Sequence, residues 1–526
     1  MDASQRNSSR DKSKTKPLAG CILLALAITD LACSSALAST RSVTNCNDSG
    51  SGSLRDTIAH AQSGDTVSLT ALTCSTISLI TGQLNVSQKD LSLLGPGAKA
   101  LTIAGAQHSY ASVLNHLGTG TLRIEALRIT DNWSRVLGTS STHRCVNASS
   151  TLYLNRATVT ACSGGAVSAS SLIARDSTIS DSYRGIDSGA GNITISGSTI
   201  SGNRSAHCAG MRVGAASPAV ATVQISNSTI SGNLAYGEGF YDYYNYGAGC
   251  IFGRATISNT TVAFNGAWTG GNGGLNILSS EITIESSLFA YNSNDLNYSV
   301  HVSGHNNLFA PGTSLSIPLP PDTITTEPRL LPLEDNGGPT QTHALIGDSP
   351  AVDAGNNLAG LATDQRGPSF GRNIGAGPDI GAFESPSPAT GTVPIGPEFT
   401  GSWFDPDQSG QGLMLEVLPE QRLLAQWFSF DPEGTQQAWF GGVGTYAGNV
   451  AIISEVVQPF QGRWIPNFNP DKIVSRRWGR LIFSFSDCNH GKVEFDSALD
   501  TEPALDFGRG SMNLTRLTLP SGLACP

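Results

Sequence analysis

The amino-acid sequence predicts an all-β protein: a parallel β-helix with capping segments, followed by a C-terminal antiparallel β-barrel or sandwich. The first observation is a repeat between residues 121 and 307, in which short stretches alternate aliphatic and small polar residues, break, and alternate again. Successive copies start 20 to 32 residues apart and read LRIEALRIT, LYLNRATVT, LIARDSTIS, ITISGSTIS, VQISNSTIS, ATISNTTVA and ITIESSLFA. One copy cannot bury its own aliphatic row, so the copies have to stack on one another.

Composition is the second observation. A chain of 526 residues is too long for one ordinary core, but a solenoid escapes that limit because each coil contacts only its neighbours. The 59 glycines suit tightly turned β-structure, and a hydrophobic content of 39% argues against wholesale disorder. The net charge of −10 argues against a general affinity for nucleic acid or anionic lipid.

Residues 1–38 have the pattern of an export signal. Five basic residues precede an apolar run from residue 18 to residue 28, and Ala36-Leu37-Ala38 forms a small-x-small cleavage site. A lipoprotein box ending at Cys21 lies at the start of the apolar run, whereas such a box should end the run. We therefore expect cleavage after Ala38, no membrane span in the mature chain, and a protein located outside the cell or on its outer surface, with the periplasm as the alternative.

Cysteine usage agrees with export, because eight cysteines remain after Cys21 and Cys33 leave with the signal. Sequence alone allows many pairings, and proximity along the chain is the guide used here. It pairs Cys46 with Cys74, Cys145 with Cys162, Cys208 with Cys250, and Cys488 with Cys525. The absence of a C-x-x-C motif or a histidine-rich cluster argues against a metal site, and no cofactor is predicted.

Residues 39–107 are predicted to form the N-terminal cap and the first coils. In SLRDTIAHAQSGD, a helix would place Leu54, Ile58 and Ala61 on one face, with Gly64 as its terminator. Such a helix would cover the open end of the solenoid, where unpaired backbone groups would otherwise permit end-to-end association.

Residues 108–326 are predicted to be the β-helix proper. Equivalent places in successive copies should form one inward column, occupied by Ile179, Ile200, Ile230 and Val262. A stacked amide ladder is the preferred interpretation of four asparagines that close successive strands: Asn203, Asn233, Asn265 and Asn292. A second series of short strands should begin near a glycine in each coil, at Gly165, Gly185, Gly210, Gly249 and Gly274.

An insertion interrupts this second series, because the step from Gly210 to Gly249 spans 39 residues against 20 to 25 elsewhere. The candidate ligand-binding residues of this insertion are Tyr236, Glu238, Phe240, Tyr241, Asp242, Tyr243, Tyr244 and Tyr246. Exposed rings here could stack on sugars of an extracellular glycan or bind another cell-surface component. The alternative is that the rings pack on the outside of the coils.

Catalytic motifs are scarce. The D-D and G-H-G signatures of pectinolytic β-helices are missing, the only R-x-K lies in the export signal, and no lysine occurs between Lys99 and Lys472. The sequence therefore assigns no catalytic residues. An enzyme whose active site uses isolated Arg and Asp residues is still an open alternative.

Residues 327–384 contain EPRLLPLEDNGGPTQTHALIGDSPAVDAGN and TDQRGPSFGRNIGAGPDIGAFE, which resemble the choice-of-anchor Q region of exported bacterial proteins. The TISGN pieces likewise resemble repeats of polymorphic outer-membrane proteins. This resemblance implies a preceding right-handed β-helix, a variable C-terminal attachment module, and surface display or secretion. From its residues alone, the region should close the last coil and hold a buried polar network formed by Asp353, Asp364, Gln365, Arg366 and Asp379, with a calcium or catalytic site there as the alternative.

Residues 385–397 contain four prolines and should form an extended spacer. Residues 398–526 then alternate over long strands, which predicts six to eight antiparallel strands, few contacts to the solenoid, and independent folding. Five tryptophans are expected mainly in its core, with a ligand cleft as the alternative: Trp403, Trp427, Trp439, Trp464 and Trp478.

Two classes of function follow from the sequence. The first is an exported, non-catalytic surface or secreted protein with an adhesive, structural or glycan-binding role. The alternative is a polysaccharide-active enzyme, either a lyase or a glycoside hydrolase, on the β-helix scaffold. An acid and base pair on a concave coil face would favour the enzyme, whereas a long polar face of small side chains would favour adhesion.

Overall fold

The computed structural model describes residues 38–106, 111–131, 143–189, 191–214, 221–236, 246–267, 272–277, 281–298, 302–311, 318–346, 349–385, 393–463, 465–497 and 507–525. The predicted export signal lies outside these residues, apart from Ala38. Among the described residues, none of the helices is both long and apolar enough to cross a membrane.

The predicted parallel β-helix is confirmed, because each strand of the solenoid pairs in parallel with the equivalent strands of neighbouring coils. The wide sheet contains two strands from most coils. Within the described residues, its strands are Thr40–Ser42, Thr66–Ser68, Leu84–Val86, Leu91–Leu94, Leu114–His116, Thr121–Glu125, Val146–Asn155, Val167–Arg175, Ile186–Ser188, Ile193–Ser196, Met211–Val213, Ala221–Ser226, Gly249–Ile251, Gly253–Ser258, Leu275–Ile277, Ile282–Glu285, Leu296–Tyr298 and Val302–Ser303.

Two further sheets complete each coil. The described strands of the second sheet are Thr76–Ser78, Thr102–Ala104, Arg128–Thr130, Thr158–Thr160, Thr178–Ser180, Thr199–Ser201, Thr229–Ser231, Thr261–Ala263, Leu288–Ala290 and Leu308–Phe309. Those of the short third sheet are Arg204–Ser205, Leu234–Ala235 and Gly266–Ala267.

The inward column of the second sheet is confirmed. Ile179 pairs with Ile200, Ile200 with Ile230, and Ile230 with Val262, and all four side chains are buried. Because the coils stack in register and successive side chains of a strand alternate between faces, one aliphatic residue per copy forms a continuous dry row.

The asparagine ladder is also confirmed at the bend that follows the second sheet. The side-chain Nδ2 of each of the first three asparagines donates to Oδ1 of the next, at 2.9 Å in every step. The residues concerned are Asn203, Asn233, Asn265 and Asn292. Each Nδ2 also donates to a backbone carbonyl of an earlier coil, so the ladder joins the coils along the solenoid axis.

The N-terminal helix spans Leu54–His60, with the Ser53 hydroxyl accepting from the backbone N–H of Asp56 as an N-cap. Leu54 and Ile58 are buried against the first coils, as expected for a cap. The helix ends earlier than predicted, because the backbone at Ala61 is already extended and Gly64 lies beyond the helix.

The four cysteine pairs expected from locality are the disulfides of the structure. They join Cys46 to Cys74, Cys145 to Cys162, Cys208 to Cys250, and Cys488 to Cys525. The glycine register of the wide sheet needs two corrections. Val167 pairs with Ile186, so Gly165 lies one position away from its expected place beside Gly185. Gly249 aligns with Met211 and Leu275, one position away from its expected place beside Gly210 and Gly274.

The closing region, residues 327–384, does not lie where the sequence predicted. Its strands Leu330–Glu334 and Thr342–Leu345 pair antiparallel, and the region packs along the outer face of the second sheet over several coils, not over the last coil alone. Three threonine hydroxyls at equivalent places in that sheet bond to it: Thr199 to Gln341 O, Thr229 to Gln365 Oε1, and Thr261 to Ala382 N.

Most of the predicted polar network is buried within this region: Asp364, Gln365, Arg366 and Asp379 are buried, whereas the Asp353 side chain is exposed. Arg366 bonds to Asp364 at 2.6 Å and 2.9 Å, and its guanidinium lies between the rings of Phe370 and Phe383. Burial raises the pKa of Glu384 to about 7, against hydrogen bonds from two backbone N–H groups that lower it. Among the described residues, no group of three or more His, Cys, Asp or Glu side chains could hold a metal ion.

The C-terminal domain is a closed antiparallel barrel, in which the first and last strands also pair. Its strands are Gly401–Phe404, Gly412–Leu418, Arg422–Phe430, Gln437–Ala447, Val450–Phe460, Val474–Phe485, His490–Asp496 and Arg509–Arg516. Short 3₁₀ helices span Pro397–Phe399, Pro406–Gln408 and Pro470–Lys472.

The barrel tryptophans divide between core and surface. Trp403, Trp427 and Trp478 are buried in the core, as expected, whereas Trp439 is 53% exposed and Trp464 lies outside the described residues.

The barrel packs mainly against the closing region, and among the described residues its strands make few contacts with the strands of the solenoid, as expected. Ile346 of the closing region packs with Val450 and Ile482 of the barrel, and the Arg480 guanidinium lies 4.1 Å from the centre of the Phe264 ring. The closing region therefore has two apolar neighbours, the second sheet on one side and the barrel on the other.

Candidate functional site

A shallow groove lies on the wide sheet. It follows the bend between the two strands that a coil contributes to this sheet. Val146–Asn155 and Val167–Arg175 run through this bend, and their pairing shifts between Ala148 and Thr151. The groove encloses about 570 Å³ and is lined by Asn147, Ala148, Ser149, Ser168, Ala169, Ser170, Ser171, Gly189 and Gly191. Small side chains leave its floor open, and its hydroxyl and amide groups can both donate and accept hydrogen bonds.

A continuous row of polar side chains enters the groove along the solenoid axis. Asn147 Nδ2 donates to Asn115 Oδ1 at 2.9 Å, and Asn115 pairs in turn with Asn85 of the preceding coil. Continuing from Asn147, equivalent positions hold Ser168, Asp187 and Arg212. The row therefore changes from amide and hydroxyl groups to charged groups at one end of the groove.

Three arginines converge on one carboxylate at this charged end. Asp187 Oδ2 lies 2.6 Å from Arg144 Nη2 and 3.2 Å from Arg184 Nη1, while Asp187 Oδ1 lies 3.0 Å from Arg212 Nε. Burial alone would raise the pKa of Asp187, but the hydrogen bond from Arg144 and the three positive charges hold this pKa below its ordinary value. Asp187 is therefore ionised in the folded protein at neutral pH.

The aromatic ring of Tyr153 lies on the same face of the wide sheet, in the part of Val146–Asn155 that follows the bend. The Arg123 guanidinium is 4.5 Å from the centre of the Tyr153 ring, and that of Arg175 is 6.0 Å away. These contacts are cation–π interactions, which add further positive charge beside the groove. Sequence reasoning did not single out Tyr153, although its outward place in the alternating strand was available as a signal.

The tyrosine-rich insertion is described only at its two ends. Glu238, Phe240, Tyr241, Asp242, Tyr243 and Tyr244 lie outside the described residues. Tyr246 is 5% exposed, packs on the disulfide between Cys208 and Cys250, and accepts a hydrogen bond from Asn297. Burial and contact with Tyr183 raise the pKa of Tyr236. Packing is therefore the role of Tyr246, while the binding hypothesis for the six central residues stays a prediction.

A second cavity of about 570 Å³ lies between the second sheet, the closing region and the barrel. Lys492 Nζ lies 3.2 Å from Glu334 and 2.5 Å from Glu494. Burial and the Glu334 carboxyl group raise the pKa of Glu494 to about 7, while the hydrogen bond with Glu494 lowers the pKa of Glu334. These two acids are 160 positions apart in the chain, and sequence reasoning missed them.

The Glu334 and Glu494 pair is not arranged for glycoside hydrolysis. Lys492 Nζ contacts both carboxyl groups, whereas a glycosidase holds its two carboxyl groups at least about 5 Å apart so that the glycosidic bond fits between them. The pair is better suited to joining the barrel to the closing region.

No family model and no curated protein matches the chain. Among solved structures, the chain is similar to ORF18 of Geobacillus virus E2, with 9% identity over 91% of this chain and 86% of that one, at a TM-score of 0.29. It is also similar to full-length tailspike protein 2 of the Escherichia coli O157:H7 bacteriophage CAB120, with 11% identity over 90% of this chain and 66% of that one, at a TM-score of 0.27. Similarities at these scores carry no argument about function.

Proposed function

We propose that this protein is an exported, non-catalytic glycan-binding protein that uses the groove of its wide sheet as the binding surface. The observation that carries the proposal is the lining of that groove: small hydroxyl and amide side chains over an open floor. Sugar hydroxyls need partners that both donate and accept, and Ser and Asn side chains do both. Small residues also let a pyranose ring approach the sheet backbone.

The regular stacking of the coils favours a ligand that is itself a polymer with repeating units. Asn85, Asn115 and Asn147 repeat the same amide at the same place in successive coils. A ligand with repeating units can use equivalent contacts on several coils, so weak single contacts add through multivalency.

Export is supported by the four disulfides, because such bonds persist in oxidising compartments. The resemblance of residues 327–384 to the choice-of-anchor Q region supports display on the cell surface or secretion as part of the same proposal. The barrel would then supply the attachment module.

A polysaccharide-active enzyme is the alternative, and one observation bears on it. The acid pair that the structure brings together lies between the closing region and the barrel, not in the groove. The proposal therefore expects retention of a glycan without release of shorter fragments, and product analysis distinguishes the two functions.

The decisive variant fills the groove without disturbing the fold. Gly189 lines the groove, and a side chain added there would meet no atom within 4 Å. We expect Gly189→Tyr to weaken retention on a glycan array by about tenfold or more, because the new ring occupies the space of the ligand. Gly462→Tyr is the matched control, since Gly462 is exposed in the barrel and equally unobstructed. Unchanged retention by Gly189→Tyr, or release of shorter glycan fragments, would contradict the proposal.

A further inference from the structure

We infer that the ligand of the groove is an acidic polysaccharide, whose carboxylate or sulfate groups bind at the arginine cluster around Asp187. This inference rests on the proposed function and adds the charge class of the glycan. Three observations carry it: the geometry of the cluster, the distribution of charge along the chain, and the exposure of Arg212.

The first observation is an excess of positive charge at the end of the groove. Arg144, Arg184 and Arg212 all contact Asp187, so these four side chains carry a formal charge of three positives against one negative. Burial lowers the pKa of Arg184, the charge of Asp187 raises it, and the charges of Arg212 and Arg144 lower it again, so that this pKa stays below its ordinary value. A bound oxyanion would relieve this repulsion between like charges.

The second observation is that the part of the chain that forms the groove has a positive net charge, although the whole chain is acidic. Residues 121–214 contain nine arginines and five acidic residues, a net charge of +4, whereas the whole chain has a net charge of −10. A protein that is acidic overall repels anionic polymers, so a local excess of positive charge would attract them to one place.

The third observation is that Arg212 can reach a ligand. Its side chain is 51% exposed, whereas those of Arg144 and Arg184 are nearly buried. In the part of the chain that the structure describes, Arg212 contacts Asp187 through its Nε–H, which leaves its two Nη groups for a second oxyanion. A guanidinium binds carboxylate and sulfate groups through paired N–H donors, which a lysine cannot do.

The geometry also relates the cluster to the groove. Asp187 aligns with Ser168, which lines the groove, and Gly189 follows Asp187 by two residues on the same coil. A polymer lying in the groove would thus place a charged substituent at Arg212 while neutral hydroxyls contact Asn147 and Ser168.

The test compares three polymers on the full mature chain: alginate as a carboxylated polysaccharide, dextran sulfate as a sulfated one, and dextran as a neutral one. We expect retention of at least one acidic polymer, weakened by added salt, and little retention of dextran. The acidic polymer that is held identifies the oxyanion.

Arg212→Gln should weaken retention of that polymer by about tenfold, the effect of losing one charge-assisted contact. Arg254→Gln is the matched control, because Arg254 is an exposed arginine of the same sheet, paired with Glu281 and away from the cluster. Thermal unfolding of both variants checks that the fold is intact.

The outcomes separate the inference from the proposed function. Equal retention of dextran and the acidic polymers, or equal effects of the two arginine variants, would overturn the inference while leaving glycan binding in place. Retention of none of a broad set of glycans would overturn the proposed function and the inference with it.

Discussion

Removing one amide from the buried asparagine ladder should destabilise the solenoid strongly, and Asn233 is the best place to do so. Its Oδ1 accepts from the backbone N–H of Asn203 at 3.1 Å and from Asn203 Nδ2 at 2.9 Å. Its Nδ2 donates to Ile200 O at 3.0 Å and to Asn265 Oδ1 at 2.9 Å. The side chain is fully buried, so water cannot replace these bonds.

The magnitude follows from the buried donors that lose their acceptor. Asn233→Ala removes the acceptor of Asn203 N–H and of one Nδ2–H of Asn203, and each buried group left unsatisfied costs about 1 to 3 kcal/mol. We therefore expect the free energy of unfolding to fall by about 2 to 6 kcal/mol. Asn233→Asp should be at least as harmful, because it removes both donors and places a buried negative charge beside Asn265 Oδ1.

Urea unfolding of the mature chain, followed by circular dichroism, measures this loss. Asn85→Ala is the control: Asn85 belongs to a stacked amide row as well, but it is exposed on the outer face, so its replacement should change the free energy of unfolding by less than about 0.5 kcal/mol. If Asn233→Ala were as mild as Asn85→Ala, the ladder would contribute nothing to the stacking of coils and the reasoning would be refuted.

Further predictions concern redox state, pH, the insertion and the barrel. Thiol titration of the denatured, unreduced mature protein should detect no free thiol, and more than a trace would contradict complete pairing. Because the folded protein raises the pKa of Glu494 from 4.5 to about 7, it binds that proton more tightly than the unfolded chain does, so this contribution to stability is present at low pH and is lost as the pH rises through about 7. Urea midpoints at about pH 5 and about pH 8 should therefore differ less in Glu494→Gln than in the parent protein. Replacing Tyr241, Tyr243 and Tyr244 together by Ala should reduce glycan retention with little change in the thermal midpoint; equal retention would assign these rings to packing. Residues 398–526 contain a core of their own and should unfold cooperatively as an isolated fragment, whereas an aggregated product would show that the barrel depends on the closing region.

Long-range features were predictable from the sequence wherever the repeat itself brings residues together. Parallel coils in register place the same position of each copy in one column, which is why the inward aliphatic row and the ladder at Asn233 followed from the spacing of residues. The disulfide pairs followed from proximity for a related reason: in a solenoid, residues close in the chain lie on the same or neighbouring coils.

The candidate site was only partly predictable. Ser168, Asp187 and Arg212 occupy equivalent positions, so the register contained the information that they are neighbours. Their chemistry was missed because it breaks the repeat: an ionic cluster replaces the small polar residues of the other coils. The pair of Glu334 and Glu494 had no such signal, since no repeat relates the closing region to the barrel.

The sequence by itself determined the stacked coils, the buried column, the amide ladder and the C-terminal antiparallel domain, because each depends on a local period repeated along the chain. Only the tertiary structure decided where the non-repeating parts pack. The closing region lies along the second sheet because the hydroxyls of Thr199, Thr229 and Thr261 offer it a row of hydrogen-bonding partners. An outward threonine in an alternating strand looks the same in the sequence whether water or another segment covers it, and that choice depends on contacts between residues more than a hundred positions apart.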